Sequence, residues 1–360
     1  MASPEVMKGI VLTGHGGLDK LVWREDLPVP VPAKDEVLIR VGASAVNNTD
    51  INTRTGWYSK SVRGDTAAGA SKGFDANVDA DGGWSGKPLD FPRIQGADCC
   101  GEIVAVGTEV SSNRIGERVL VRTMQTADAD APFPVVTTLG SEQNGAFAEF
   151  ACVRSKDALS VRSNLTDVEL ATFPCAFSTA EGMMQRGSVG AERLLVTGAS
   201  GGVGSAAIQL AKRRGAHVTA LTSPEKAADL RRLGADAILG RDDPLPAGAF
   251  DVVVDLVGGP RWDELVNTLR NGGRYVTSGA IAGPIVELDL RMLYLRDLML
   301  IGSTYQPDTV FEDLVRYIEA GEILPVVAAI FPLRELRAAQ EAFLEKSFVG
   351  KIGITVAREG

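Results

Sequence analysis

Four cysteines and two histidines are all that 360 residues provide, and this scarcity removes several kinds of chemistry at once. Cys99, Cys100, Cys152 and Cys175 are too few and too unevenly spaced for a disulfide framework or a CxxC zinc knuckle, so reduced, buried thiols are expected. His15 and His217 fall on no cleft motif, which argues against a His proton relay or a Ser-His-Asp hydrolase. There is no Lys/Arg run and the formal net charge is −9, so nothing electrostatic favours a nucleic-acid partner. No stretch reaches the roughly 18 uninterrupted apolar residues of a membrane span. Residues 1–9, with Glu5 and Lys8, lack the apolar segment of a secretory signal. A cytoplasmic protein without membrane contact is the expectation.

What is present is a soluble composition, 45% hydrophobic and 23% charged, in a chain long enough for two domains. Its most informative stretch runs from Leu194 to Gly204, where a short apolar strand breaks into a glycine-rich turn and a helix begins. Gly198, Gly201 and Gly204 follow a G-x-x-G-x-x-G spacing, and Gly202 lies among them. Such a turn brings backbone close to a phosphate that a Cβ would exclude, and the helix amino end offers it free N–H groups and a positive dipole. Downstream, Val203, Ala206, Ala207, Leu210 and Ala211 recur at helical spacing and form an apolar face for packing on a sheet. Strand, turn and helix together predict dinucleotide binding.

Apolar runs at 194–197, 217–222, 237–239, 252–257, 274–278 and 299–301 read as strands. They are continuous rather than alternating, as expected when helices cover both faces, and the stretches 224–233 and 261–269 between them read as helical. The predicted fold class is α/β, a doubly wound parallel Rossmann sheet across residues 156–307. Residues 1–155 instead carry short β-like pieces at 36–42, 101–106 and 118–121, separated by Pro, Gly and Asn turns, and predict a β-rich domain. Helical stretches at 308–320 and 333–345 and a last strand at 352–356 are too short for a domain of their own, so residues 308–360 are expected to return to the first one. The active site then lies in the cleft between the two domains. Residues 61–90, rich in Gly, Asp, Ala and Ser, show no hydrophobic period and read as a long loop beside that cleft, with a lid role open to them. Asn77, Asp79, Asp81 and Gly82 mimic the start of a calcium loop, but Pro88 stands where the bidentate Glu is needed, so a solvated acidic loop is preferred.

Several segments in order resemble the medium-chain dehydrogenase/reductase superfamily, and within it the zinc-free quinone oxidoreductase-like branch. They are Val46-Asn47-Asn48-Thr49-Asp50 with Arg54-Thr55-Gly56-Trp57-Tyr58, Gly96-Ala97-Asp98-Cys99-Cys100-Gly101, Phe177-Ser178-Thr179-Ala180, and the glycine turn. The resemblance implies a GroES-like catalytic domain, a nicotinamide cofactor and a homodimer joined through the outer Rossmann strand near 298–301. Where zinc alcohol dehydrogenases carry Cys, His and Cys on the catalytic metal, this chain has Asn47, Ala97 and Cys175. An amide oxygen is a poor zinc ligand and alanine is none, so no catalytic metal is expected. The region 124–143 also lacks the cysteines of a structural zinc.

A sheet that prefers NAD places an acid at the end of its second strand for the ribose hydroxyls. Here that strand ends in Leu221-Thr222-Ser223 with Lys226 following, and the family's NADPH-dependent members use a Ser and a Lys at such positions for the 2′-phosphate. NADPH is therefore the expected cofactor. Its expected contacts are Thr179, Gly198, Ser200, Gly201, Gly202, Val203, Gly204, Thr222, Ser223 and Lys226, with Arg241 beside the adenine end. Val257, Gly258, Gly259, Ser278, Gly279 and Ser303 lie at strand carboxyl ends, where open α/β sheets gather ligands, and read as cofactor contacts or as turn residues.

Without a metal, the chemistry that suits this chain is hydride transfer to a small electrophilic acceptor such as a quinone, an enone or an enoyl thioester. The oxygen on which charge develops then needs hydrogen-bond donors. The candidate catalytic residues are Tyr58, Asn47 and Asp50. Tyr58 resembles the tyrosine that acts as acid or orienting donor in enoyl-thioester reductases, and otherwise reads as a loop tyrosine. Asn47 reads as a donor to substrate or nicotinamide, and Asp50 as an organiser of its loop. An enoyl-thioester reductase and a non-catalytic NADPH-binding protein are the alternatives, with a zinc alcohol dehydrogenase disfavoured.

Overall fold

A computed structural model describes residues 4–74, 78–128 and 134–356. The apolar runs of the second half form a six-stranded parallel sheet, in the order Ala237–Gly240, His217–Thr222, Arg193–Val196, Phe250–Asp255, Leu269–Thr277, Met299–Gly302. This is the doubly wound order, with its switch point between Arg193–Val196 and Phe250–Asp255. The helices Pro174–Arg186 and Gly202–Arg213 cover one face, and their apolar sides join Leu194, Val196, Val252 and Val254 in one core. Leu195, Val253, Trp262, Leu265 and Tyr275 build the smaller core on the other face. Because both faces are covered, the strands carry no polar alternation.

Differences from the expected elements are local. A 3-10 turn over Pro224–Lys226 precedes the short helix Ala227–Arg232, because proline opens the turn. The helix Trp262–Asn267 stops earlier than expected, since Leu269 already pairs as a strand with Phe250. The helix Asp308–Glu319 packs its Phe311, Leu314 and Ile318 into the Rossmann core, so the chain leaves that layer only afterwards.

The first half forms a mainly antiparallel sheet in the order Ala158–Ser160, Arg118–Val121, Cys100–Val106, Glu36–Val46, Lys351–Thr355, Val327–Pro332, with Phe150–Arg154 also on Glu36–Val46. The last strand therefore returns to the first sheet, and its register sets Ile352 opposite Val46. That pairing brings residue 351 beside residue 47. Within 61–74 and 78–90 there is no helix or strand, and Asn77 of the calcium-like motif lies outside the described residues. The loop is nevertheless anchored. The buried Arg54 guanidinium donates to Ala70 O (2.9 Å), Gly16 O (2.8 Å) and Gln340 Oε1 (2.9 Å), and Thr66 N–H donates to Ile281 O (3.0 Å) on the Rossmann side of the cleft.

Candidate functional site

The glycine turn follows the central strand Arg193–Val196, and the helix Gly202–Arg213 starts within it. Gly204 is fixed by packing: a Cβ there would lie 2.3 Å from Gly198 O, so a larger residue would push the helix off the strand. At the switch point the buried Asp255 carboxylate accepts from Thr197 Oγ1, Tyr275 OH, Val257 N (2.9 Å) and Gly258 N (3.1 Å). This holds Val257 and the start of the next loop at the crevice mouth. Ser278 and Gly279 are half-buried at the end of the next strand, and Ser303 is buried at the end of the last.

Three cations gather at the end of the second strand. Lys226 is buried, with Nζ donating to Ser200 Oγ (3.4 Å) and to Lys346 O. Burial, and then repulsion from Arg241, pulls its proton affinity down. Arg241 is exposed, whereas Lys346 is half-buried, its Nζ donating to Asn48 Oδ1 (3.2 Å), and is held down to about 7 by desolvation and by Lys226. Thr222 Oγ1 is buried there without a hydrogen-bond partner among the described residues. Ser223 is bonded to the exposed carboxylate of Glu225, which that bond and the nearby cations keep ionised. An unpartnered hydroxyl at the strand end, with mutually repelling cations on the segments that follow, suits a phosphate monoester, so the residues present fit the 2′-phosphate of NADPH.

The C-terminal return reaches this turn directly. Gly350 N–H donates to Ser200 O (2.9 Å), and Gly350 pairs with Gly201 in an isolated bridge. A Cβ at Gly202 would stand 2.6 Å from Lys351 Cδ, so the lysine stem lies on the turn. Its ammonium ends in a buried cluster, donating to Asn47 Oδ1 and to Asp98 Oδ2 (2.8 Å). Asp98 Oδ2 also accepts from Asn47 Nδ2 (2.8 Å), and Asp98 Oδ1 from Cys175 N (2.7 Å).

This geometry corrects the reading of Asn47. Its other Nδ2 hydrogen goes to Ala45 O (3.2 Å), so both amide hydrogens are spent inside the protein and neither is left for a substrate. Asp50 is likewise engaged, accepting from Asn47 N (2.8 Å) and Gly96 N (3.3 Å) as part of the capping box that starts the helix Asn48–Thr55. Burial pushes its carboxyl up to about 7. It positions the strand-to-helix turn and is no free acid. Tyr58 is half-buried, its hydroxyl on Thr49 Oγ1 (3.1 Å), and burial with the nearby Cys175 and Asp50 favours its protonated form. Thr179 Oγ1 donates to Cys175 O (2.8 Å), so Thr179 and Cys175 share one turn of helix beside the cluster.

The chain's similarities follow this geometry. The family model for the alcohol dehydrogenase GroES-like domain matches residues 33–163, and that for zinc-binding dehydrogenases matches 202–320. An acryloyl-coenzyme A reductase of Sulfurisphaera tokodaii is 30% identical, over 96% of this chain and 99% of its own length. The chain is a medium-chain dehydrogenase/reductase. A chloroplastic NADPH-dependent alkenal/one oxidoreductase of Arabidopsis thaliana is 29% identical, over 97% of this dehydrogenase/reductase and 79% of its own length. Among solved structures, one described as a putative alcohol dehydrogenase from Sinorhizobium meliloti superposes with a TM-score of 0.87 at 43% identity, covering 98% and 97% of the two chains. The zinc in the family's description does not suit the donors found here. Among the described residues no three His, Cys, Asp or Glu side chains converge on a possible metal position, and the Lys351 ammonium sits with Asn47 and Asp98.

Lys346 and Lys351 escaped the sequence reading. Both lie in the C-terminal return, where no local motif marks them, and only the fold brings Lys346 to Lys226 and Asn48 and Lys351 to Gly202 and Asn47.

Proposed function

We propose that this medium-chain dehydrogenase/reductase is a zinc-independent, NADPH-dependent reductase of carbon–carbon double bonds conjugated to a carbonyl, of the quinone oxidoreductase-like branch. The observation that carries the reading is the pairing of two features across one cleft. Lys226, close enough to Lys346 and Arg241 to feel their charge, follows the strand that ends in the orphaned Thr222 hydroxyl, and the catalytic cluster holds an amide, a carboxylate and an ammonium in place of metal ligands. NADPH, when bound, supplies the hydride. The glycine turn and helix amino end hold its pyrophosphate, with Thr179, Val257, Ser278, Gly279 and Ser303 along the nicotinamide half and Ser223 with Lys226 at the 2′-phosphate. Tyr58 is the acid or orienting donor, since burial keeps its proton on at neutral pH.

The residues 61–74 and 78–90, tied to the Rossmann side by Thr66, limit water at the cleft. An acceptor whose own conjugation makes it electrophilic requires no metal to polarise it. The names of the Sulfurisphaera and Arabidopsis relatives support such acceptors, and the former keeps an enoyl thioester as the second reading. The reading divides the chain into a catalytic unit at 1–155, rejoined by the C-terminal strands, and a cofactor unit from 156.

We further infer a homodimer through Met299–Gly302. This edge strand borders exposed Leu290, Tyr294, Leu295, Met299 and Leu300, an apolar margin that an isolated sheet edge would leave prone to association. Four free cysteines suit a reducing compartment such as the cytoplasm, and no helix among the described residues is long and apolar enough to cross a membrane.

The test is NADPH oxidation, followed by loss of reduced-nicotinamide absorbance, with acryloyl- and crotonyl-thioesters, 2-alkenals, enones and quinones. Acceleration by the conjugated carbonyls is expected. Tight NADPH binding with no acceleration by any acceptor refutes the reductase and leaves a cofactor-binding protein.

A further inference from the structure

An ammonium carries three N–H donors. Two of those on Lys351 go to Asn47 Oδ1 and Asp98 Oδ2. The third has no partner among the described residues, although the group is buried between the phosphate turn and the face where Tyr58, Cys175 and Asp50 meet. Asn47 cannot serve there, because both of its amide hydrogens are committed. We propose that Lys351 is the catalytic electrophile of this site, its third N–H donating to the carbonyl oxygen of the acceptor. This assignment rests on the reductase reading.

In the step, hydride adds to the acceptor's β-carbon, the π electrons shift, and negative charge collects on the carbonyl oxygen, where Lys351 stabilises it. A solvent proton passed through the Tyr58 hydroxyl then bonds to the α-carbon. The acceptor has gained two electrons and two hydrogens, the nicotinamide has been oxidised, and Lys351 keeps its charge throughout. Asp98 is a positioning residue: it offsets the buried charge and, with Asn47, fixes the direction of the free N–H. The rigid stem against Gly202 ties that direction to the cofactor cradle, so the electrophile and the hydride donor share one frame.

The experiment compares wild type with Lys351→Met in the full-length protein, alone and combined with Asp98→Asn. The combined change removes the carboxylate that the single change would strand without a partner. NADPH affinity is measured by fluorescence titration, folding by thermal melting, and turnover with the best conjugated acceptor. A fall in kcat of at least about 100-fold is expected at saturating NADPH, the size typical of losing one preorganised donor. In Lys351→Ala, whose truncation leaves the room that Met would fill, added ethylammonium restores part of that kcat, which a purely structural lysine would not allow. Lys351→Arg gives a second reading, because it keeps the ion pair with Asp98 but cannot present the same N–H, and kcat falls by about tenfold or more. A kcat within about twofold of wild type in any of these variants overturns the assignment. A loss of kcat that no small amine rescues, with NADPH affinity also lost, overturns it in favour of a structural role. Wild-type protein that reduces no conjugated carbonyl overturns the reductase reading itself, a result visible before any variant is made.

Discussion

Replacing Lys226 by Glu changes the charge by two units at a buried position against Ser200 and Lys346, and its effect on the choice between NADPH and NADH follows from the geometry. The bonds from Lys226 Nζ to Ser200 Oγ and Lys346 O exist before cofactor arrives. Their loss weakens both cofactors alike and cancels in the ratio of affinities. What does not cancel is contact with the 2′-phosphate, which NADH lacks. A hydrogen bond to a charged group contributes about 1.5–3 kcal/mol. A glutamate removes it and adds repulsion of similar size, tempered by Lys346 and Arg241, which remain. The difference is then about 3 kcal/mol, or roughly two orders of magnitude in the ratio of dissociation constants, at about 1.4 kcal/mol per tenfold. The assay is a fluorescence titration of each cofactor at one ionic strength, with Lys226→Met expected to fall midway. A NADPH-to-NADH ratio that stays within about threefold of wild type refutes the phosphate role of Lys226.

Tyr58→Phe should lower kcat while changing KM little, because the hydroxyl is needed only as charge develops, and an unchanged kcat returns Tyr58 to a structural role. Asp98→Ala strands the Lys351 ammonium and the Cys175 N–H, and should destabilise the protein by about 3–5 kcal/mol in denaturant unfolding. A loss below about 1 kcal/mol would mean that the cluster is not closed. Lys346 releases its proton near 7 in the folded protein, against 10.5 when free. Between those values the unfolded chain binds more protons, so stability from this group rises with pH across that window. Lys346→Met should flatten the slope there, and a pH profile parallel to wild type would sink the idea. Leu300→Asp puts a charge into the exposed edge strand and should convert a dimer to monomers in sedimentation, whereas an unaffected mass rules out that edge.

The Rossmann half was legible because its rules act locally. Continuous apolar runs mark doubly covered strands, and five of the six reappear within two residues of the expected ends. The fifth in sequence, Leu269–Thr277, starts earlier than the apolar run at 274–278, because the lone apolar Leu269 pairs with Phe250 and packs in the core, while residues 270–273 fall in a register irregularity that breaks the apolar run. The placement of Asp308–Glu319 was not legible, since an amphipathic helix reveals that it has a partner but not which sheet supplies it. At the site, the segment after the second strand singled out Lys226, which the structure sets against Ser200 of the glycine turn. Glu225 on Ser223 and the committed amide of Asn47 were not legible, since hydrogen-bond partners are set by orientation rather than by residue type.

By itself the sequence determined the glycine turn between strand and helix, the parallel strands of the Rossmann half and the loss of metal ligands at Asn47 and Ala97, since each depends on residue types within a few positions of one another. Only the tertiary structure decided what stands in their place. Lys351 is 304 residues from Asn47, and nothing in its own neighbourhood distinguishes it from a solvated lysine. It becomes a buried cation at the cleft because the last strand pairs with Glu36–Val46 in a register that sets Ile352 against Val46, while Gly350 bonds the phosphate turn. Strand register and interdomain contact, both long-range, fix that charge between cradle and catalytic cluster.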